Sequence, residues 1–449
     1  MDADLFVPVL SCAVLILSTL LHLWKGNLKF FGQDVKQFAI NDAEFSRFRR
    51  TYSIGHLIVL FSDSIQASYT YFIFDWYNTS RQDIAFMYAG GLVANIFASL
   101  FVYRWLQKVE RRLNQTDESF YNVSRVVDGI TVTLLLAPFQ EWYMHEHLHK
   151  YGFPTEWVQI TFRSISIYST FLAVVAGYFV GFLHNTLLDP HQVINICVPI
   201  PLLSCLWIFC KWSPNRAEPS GSSESLLQEL TRSFKIISRR SSILLLCALQ
   251  ALYESSYILF SYVWTPLFLQ LGEIVGPLPS IGGVYGCLMT GMLLGTVIYC
   301  KLSVHLLAPS LLSVATTLSC TGMFAAVFAS FPNEQTLLKY NLSMVMLVIY
   351  QLGSGIYFPT IQRLQKDILP ADNRSSILFL SRIPLNLLAI CTLLILVLFE
   401  DYGNWLTVCV SAIFNIACLV ISFILARKIK QSNVDYFILE LKTEKEGEV

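Results

Sequence analysis

The sequence predicts an all-α, polytopic membrane protein, and three observations predict it. Of its 449 residues, 54% are hydrophobic and only 14% charged, whereas a soluble globular domain carries about 25% charged residues. Apolar runs near or above ~18 residues, long enough to cross hydrocarbon as helices, recur along the whole chain. Strand-type alternation of polar and apolar residues is absent. In lipid every backbone N–H and C=O must be satisfied internally, which leaves helices once a barrel is set aside.

Length and apolarity place helices at about 4–24, 54–74, 84–106, 126–144, 160–183, 191–210, 243–269, 281–300, 309–330, 341–361, 376–399 and 405–426. The first run, from Asp4 to Trp24, is too long and lacks the basic leading region of a signal peptide, so it reads as a retained helix. The polar stretch from Lys211 to Arg240, with EPSGSSESLLQEL inside it, reads as a linker between two bundles. The tail after Arg427 is charged and is expected to fray.

Basic residues in short loops set the orientation. Lys25, Lys29, Lys36, Arg47, Arg49 and Arg50 place the first loop on the cytoplasmic side, and Lys211, Arg216, Arg232, Lys235, Arg239 and Arg240 place the linker there. Lys301, Arg363, Lys366, Arg374, Arg427, Lys428 and Lys430 also fall inside, with Glu400 and Asp401 outside. In the first half the rule collides with parity. Lys108, Arg111 and Arg112 demand the inside as well, yet three spans separate them from the linker, and inside to inside needs an even number. The segment 106–122 carries six charged residues, too many to cross lipid. Either a helix is missing there or the basic-residue rule fails at this loop, and both readings stand open.

Composition and motifs exclude several functions. Net charge is zero and no Lys/Arg cluster is interleaved with aromatics, so no nucleic-acid partner is expected. The 11 cysteines lie in or beside apolar runs without a CxxC pair, so neither a disulfide framework nor a zinc site is indicated. No GxxxxGK[ST] occurs, so an ATP-driven pump is unsupported. No nucleophile, base or metal ligands cluster at credible spacing, so neither an enzyme nor a cofactor is expected. His145 and His147, two apart around Glu146, point to different helix faces, unlike HExxH, and a loop or interfacial role is expected. Gly282, Gly286, Gly291 and Gly295 form two GxxxG pairs, which should pack tightly within a bundle. Pro266, Pro359 and Pro384 predict bends near polar residues.

The runs WYMHEH (142–147), FLAVVAG (171–177), LQALYESSYILFSYVWTP (249–266), GIYFP (355–359) and SRIPLN (381–386) together resemble the molybdate-anion transporter family of the major facilitator superfamily. The similarity extends from Phe45 to Arg427. It implies a major facilitator fold: two pseudo-symmetric six-helix bundles that rock around a central site, with one extra N-terminal helix before them. In that register the chain has one extra helix plus eleven, and the third superfamily helix is missing between Trp105 and Phe120. The implied organisation is an extra helix and basic loop (1–50), an N-terminal bundle (51–210), a cytoplasmic linker (211–240), a C-terminal bundle (241–427) and a cytoplasmic tail (428–449).

The implied function is secondary active transport of an oxyanion, most simply molybdate uptake across the plasma membrane. The alternatives are a shortened, transport-incompetent variant and a carrier for a different small anion. Ionisable residues inside a bilayer are functional candidates, because each is expensive without a partner or a cavity; a guanidinium costs at least ~2.5–3.5 kcal/mol at mid-membrane. Asp63 lies mid-span with Gln66 and Thr70 on one helical face, and Glu254 lies in line with Gln250, Tyr257 and Ser261. These two helices open the two halves and line the central cavity in superfamily architecture. Arg382, with Asn386 one turn on, is the fixed positive charge well inside the second half. Its forked donors suit paired oxygens of a tetrahedral dianion. The expectation is that Arg382 binds the anion while Asp63 or Glu254 carries a coupling proton; the alternative is a buried ion pair of Arg382 with either acid. Arg163, at the start of its span, is a candidate second anion contact. Arg125 and Asp128, three apart, read as a local ion pair. Glu141 receives no role, because the family's acid falls one position earlier, at Gln140.

Overall fold

The structure, a computed structural model, describes residues 3–23, 42–108, 138–187, 190–197, 199–212, 226–272, 280–331, 337–370, 373–398 and 403–446. Among the described residues every extended element is a helix: α1 (Ala3–Leu23), α2 (Ala43–Trp76), α3 (Arg81–Lys108), α4 (Pro138–His145), α5 (Thr155–Leu187), α6 (Pro190–Cys197), α7 (Pro199–Lys211), α8 (Leu226–Arg239), α9 (Ser241–Gly272), α10 (Ile281–Leu302), α11 (Ala308–Ala329), α12 (Leu337–Ile368), α13 (Arg374–Leu398) and α14 (Gly403–Glu446). Eight of them, α1, α5 and α9 to α14, are long and apolar enough to cross a membrane. The helices α2 and α3 are as long, 34 and 28 residues, but Glu44, Arg47, Arg49, Arg50, Asp83 and Arg104 dilute their ends.

Three expectations about the elements are corrected. The segment 191–210 is two helices, α6 and α7, and Pro199 opens the second, where a missing N–H is tolerated. The linker contains a helix, α8, because Leu226, Leu230 and Ile237 recur at helical spacing among its polar residues. The tail does not fray at Arg427, since α14 continues to Glu446. After α4 the chain makes a π-helical turn, Glu146–Lys150. The segment of the missing helix, together with Arg125 and Asp128, lies outside the described residues.

The packing is organised around two crossings. Helix α2 packs on α5 and α7, while α9 packs on α13 and α14, and α12 on α10 and α11. Between these two groups α5 crosses α10 and α3 crosses α13, and α1 lies along α10 and α12. Glycines set how close α5 and α10 come. A Cβ on Gly177 would sit 2.5 Å from the Gly286 nitrogen, and one on Gly181 would sit 2.7 Å from the Ser280 hydroxyl. Of the two GxxxG pairs expected to pack inside one bundle, only the second does: a Cβ on Gly291 or Gly295 would strike the backbone of α12. The first pair joins α10 to α5, because α5 supplies a matching pair in Gly177 and Gly181.

The apolar cores differ between the two ends. At the end holding the α2–α3 connection, called outer here from the distribution of basic residues, one cluster unites both groups of helices. It joins Tyr71, Phe74, Ile84 and Val174 to Leu259, Trp264, Leu271 and Val284. At the inner end the clusters are separate. Phe45, Phe48, Tyr52, Trp142, Tyr143 and Trp212 form one, and Ile243, Leu246, Tyr299, Leu364 and Leu425 belong to another.

Candidate functional site

Three helices carry the intramembrane charges, and α9 packs on both α13 and α2. Helix α9 presents Gln250, Glu254 and Tyr257 on one face, α13 presents Arg382, and α2 presents Asp63 with Gln66 one turn on. Gln250 is 6% exposed, and its Oε1 accepts from Gln365 Nε2 at 2.9 Å and from Ser381 Oγ at 3.5 Å. Those bonds fix the amide plane and leave the Gln250 N–H for the Glu254 carboxylate beside it.

Glu254 and Arg382 are electrostatic neighbours, yet they are not locked together. The ion pairs among the described residues are Lys150–Glu146 at 2.7 Å and Arg363–Asp367 at 4.0 Å, and Arg382 is in neither. No hydrogen bond to a described residue holds its guanidinium, and both Arg382 and Glu254 are largely though not completely enclosed by protein. A buried guanidinium that no described residue holds by a hydrogen bond keeps its donors available to a ligand.

Asp63 lies on an exposed face of α2 and acts electrostatically on Tyr257 and Tyr285 of the opposite half. Ser64 sits beside Tyr285, and Gln351, fully buried on α12, sits beside Tyr257. Tyr257 is one turn from Glu254, so it stands between the two acids. Gln66 shares the exposed face of Asp63.

Two predicted residues are engaged elsewhere. Asn386 is 2% exposed, and its Nδ2 donates to Asn95 Oδ1 at 3.0 Å, tying α13 to α3 across the halves. Arg163 Nη2 donates to Ser303 Oγ at 3.1 Å, while Arg363 Nη1 donates to the Ser303 carbonyl at 2.8 Å. Both arginines thus meet at the C-terminus of α10, where cations complement the helix dipole. His147 is fully buried, and its Nε2 donates to the Pro154 carbonyl at 2.9 Å. Burial pushes that imidazole below its usual range. Among the described residues no three metal-binding side chains converge. The side chains of Gln140 and Glu141 lie outside what is described.

Sequence reasoning missed Asn95, Tyr285 and Gln351. Asn95 had a signal, an amide alone in the apolar run GLVANIFASLF. Gln351 had the same signal, an amide in the middle of the predicted span 341–361; Tyr285 had none, since a tyrosine near a helix start reads equally as an interfacial residue.

The sequence matches, over residues 20–353, the transporter family described as sugar transporters with 12 transmembrane spans, of the major facilitator type. The molybdate-anion transporter of Takifugu rubripes is 28% identical over 399 residues, covering 80% of this chain and 81% of the relative. The molybdate-anion transporter of Xenopus laevis is 26% identical over 448 residues, covering 93% and 96%. Among solved structures, the nucleoside transporter NupG superimposes with a TM-score of 0.61 at 12% identity, over 84% of this chain and 98% of its own. A POT family transporter in complex with a thioalcohol-conjugated peptide gives 0.63 at 12% identity, over 86% and 96%. Likeness at that identity concerns the fold alone.

Proposed function

Because the chain belongs to the 12-span transporter family of the major facilitator type, and is a multi-pass membrane protein, we propose that it is a secondary active carrier of an oxyanion, molybdate, at the plasma membrane. Residues 51–210 and 241–427 are its two halves and 211–240 the linker between them. The relatives named molybdate-anion transporter support the choice of substrate, and one observation carries the mechanism: Arg382 lies beside Glu254 yet, among the described residues, is locked to it by neither an ion pair nor a hydrogen bond.

Charge counting then couples a proton to the anion. With both acids ionised, Arg382, Glu254 and Asp63 sum to a net charge of −1, and a dianion added to that sum is repelled. Protonating one acid makes the centre neutral, and protonating both makes it +1. Glu254 is the acid next to Arg382, so it competes with the anion for the guanidinium. A proton on Glu254 releases Arg382 to bind two oxygens of the anion through its forked donors. Loss of that proton on the far side restores the attraction between Glu254 and Arg382 and expels the anion. Gln250, fixed by Gln365 and Ser381, keeps the Glu254 carboxyl aimed during the exchange.

The test is mass-detected molybdate uptake into proteoliposomes with an imposed pH gradient and sulfate as competitor. Uptake should rise when the outside is acidified, and Glu254→Gln should transport at a rate independent of pH. Equal uptake with and without the gradient in the wild-type chain would rule out proton coupling. No saturable uptake under any gradient would remove the carrier assignment itself.

A further inference from the structure

The transport cycle makes no use of the side chains on the outer face of helix α8, LLQELTRSFKIISR. Ser233 and Ile237, one turn apart, are buried, and Ile237 belongs to the inner cluster with Ile243, Leu246 and Ile377. That docks one face of α8 against the α9–α13 group. At 3.6 residues per turn, Arg232, Lys235 and Arg239 fall on the opposite face at i, i+3 and i+7. All three are exposed, and none of their charged side chains has an ion-pair or hydrogen-bond partner among the described residues. Together with Gln228, Thr231 and Ile236 they line a groove of about 630 Å³. On the flank between the two faces, Phe234 projects outward, 63% exposed.

Position completes the picture. Helix α8 ends two residues before α9 begins its membrane span at Ser241, on the side where the basic residues concentrate, so it sits at headgroup level. We propose that α8 is a binding site for anionic phospholipid headgroups of the cytoplasmic leaflet. The three cations receive the headgroup phosphates and carboxylates, and Phe234 reaches toward the acyl boundary. Three unpaired like charges in one stripe repel one another until an anionic surface covers them. Phe234 decides between a lipid and a soluble anion. An exposed aromatic ring beside cations gains nothing from phosphate in water but is stabilised by an apolar phase.

The site is testable without reference to transport, on the full chain in nanodiscs. Hydrogen exchange over residues 226–239 is compared between discs of phosphatidylcholine alone and discs that also contain phosphatidylserine. Exchange should slow at least about tenfold with phosphatidylserine, and the protection should shrink as salt is raised. The combined variant Arg232→Gln, Lys235→Gln, Arg239→Gln should lose that protection while keeping its unfolding temperature, and Phe234→Ser should lose part of it. Equal exchange of the wild-type chain in the two discs would overturn the proposal. So would full protection by inorganic phosphate in neutral discs, which would make the groove a soluble-anion site.

Discussion

The two ends of the molecule hold their halves together by opposite means. At the outer end one apolar cluster joins α2, α3 and α5 to α9 and α10, beside a smaller one built on α2, α5 and α6, and Gly177 meets Gly286 backbone to backbone. At the inner end each group keeps its own aromatic or aliphatic cluster, and Arg163 reaches across to Ser303. Dispersion and close backbone contact give a seal that needs full-length complementarity. Among the described residues, a hydrogen bond between otherwise separate cores gives a contact that can open. Among the described residues the carrier is sealed outside and latched inside, with Arg382 and Glu254 between the two regimes.

Substitutions should divide along this line. The largest effect belongs to Gly177→Leu, which drives a branched side chain into the backbone of α10; stability should fall by 3 kcal/mol or more, on the order of the worst overpacking, read as a lower unfolding temperature in detergent. Gly90→Leu is the control, since nothing lies within 4 Å of its Cβ position, and it should be neutral. Next comes the central tie. Asn386→Leu or Asn95→Leu alone strands a buried amide and should cost about 1–2 kcal/mol, whereas the double variant should recover most of the loss. Additive losses would show that the two amides do not depend on each other.

At the inner end the effects shrink. Arg163→Gln removes one partly exposed hydrogen bond and should cost about 1 kcal/mol or less, so an unfolding temperature as low as that of Gly177→Leu would erase the contrast between seal and latch. His147 contributes the smallest effect. It lies beyond the predicted span 126–144, and burial holds its folded-state pKa below the usual 6.5. The unfolded chain therefore binds a proton that the folded chain refuses as the pH drops below 6.5. Stability is complete above that pH and declines below it, by at most about 1.4 kcal/mol per pH unit. His147→Gln should flatten that decline in a series of unfolding measurements.

Much of this was legible in the sequence, for a physical reason. Apolar length is enforced residue by residue in lipid, so α9 to α14 lie where hydropathy placed them, and a charge in such a run, as at Arg382 and Glu254, stands out. Partnership is not legible in that way. The sequence showed Asn386 one turn from Arg382 but not that Asn95 takes its amide from the other half. It showed two GxxxG pairs but not that Gly177 and Gly181 answer the first. Helix α8 reads as linker in the sequence because its polar residues dominate its mean hydropathy, although its apolar positions recur every three or four residues. The continuation of α14 to Glu446 was hidden for the same reason.

The most direct test of the account is molybdate binding to the purified full chain, by titration calorimetry at pH 6, for the wild type and for Arg382→Gln with matched unfolding temperatures. The account predicts saturable one-site binding in the wild type and affinity weaker by about a hundredfold in the variant, the loss of a charge-assisted bidentate contact. Equal affinity in both proteins would contradict it.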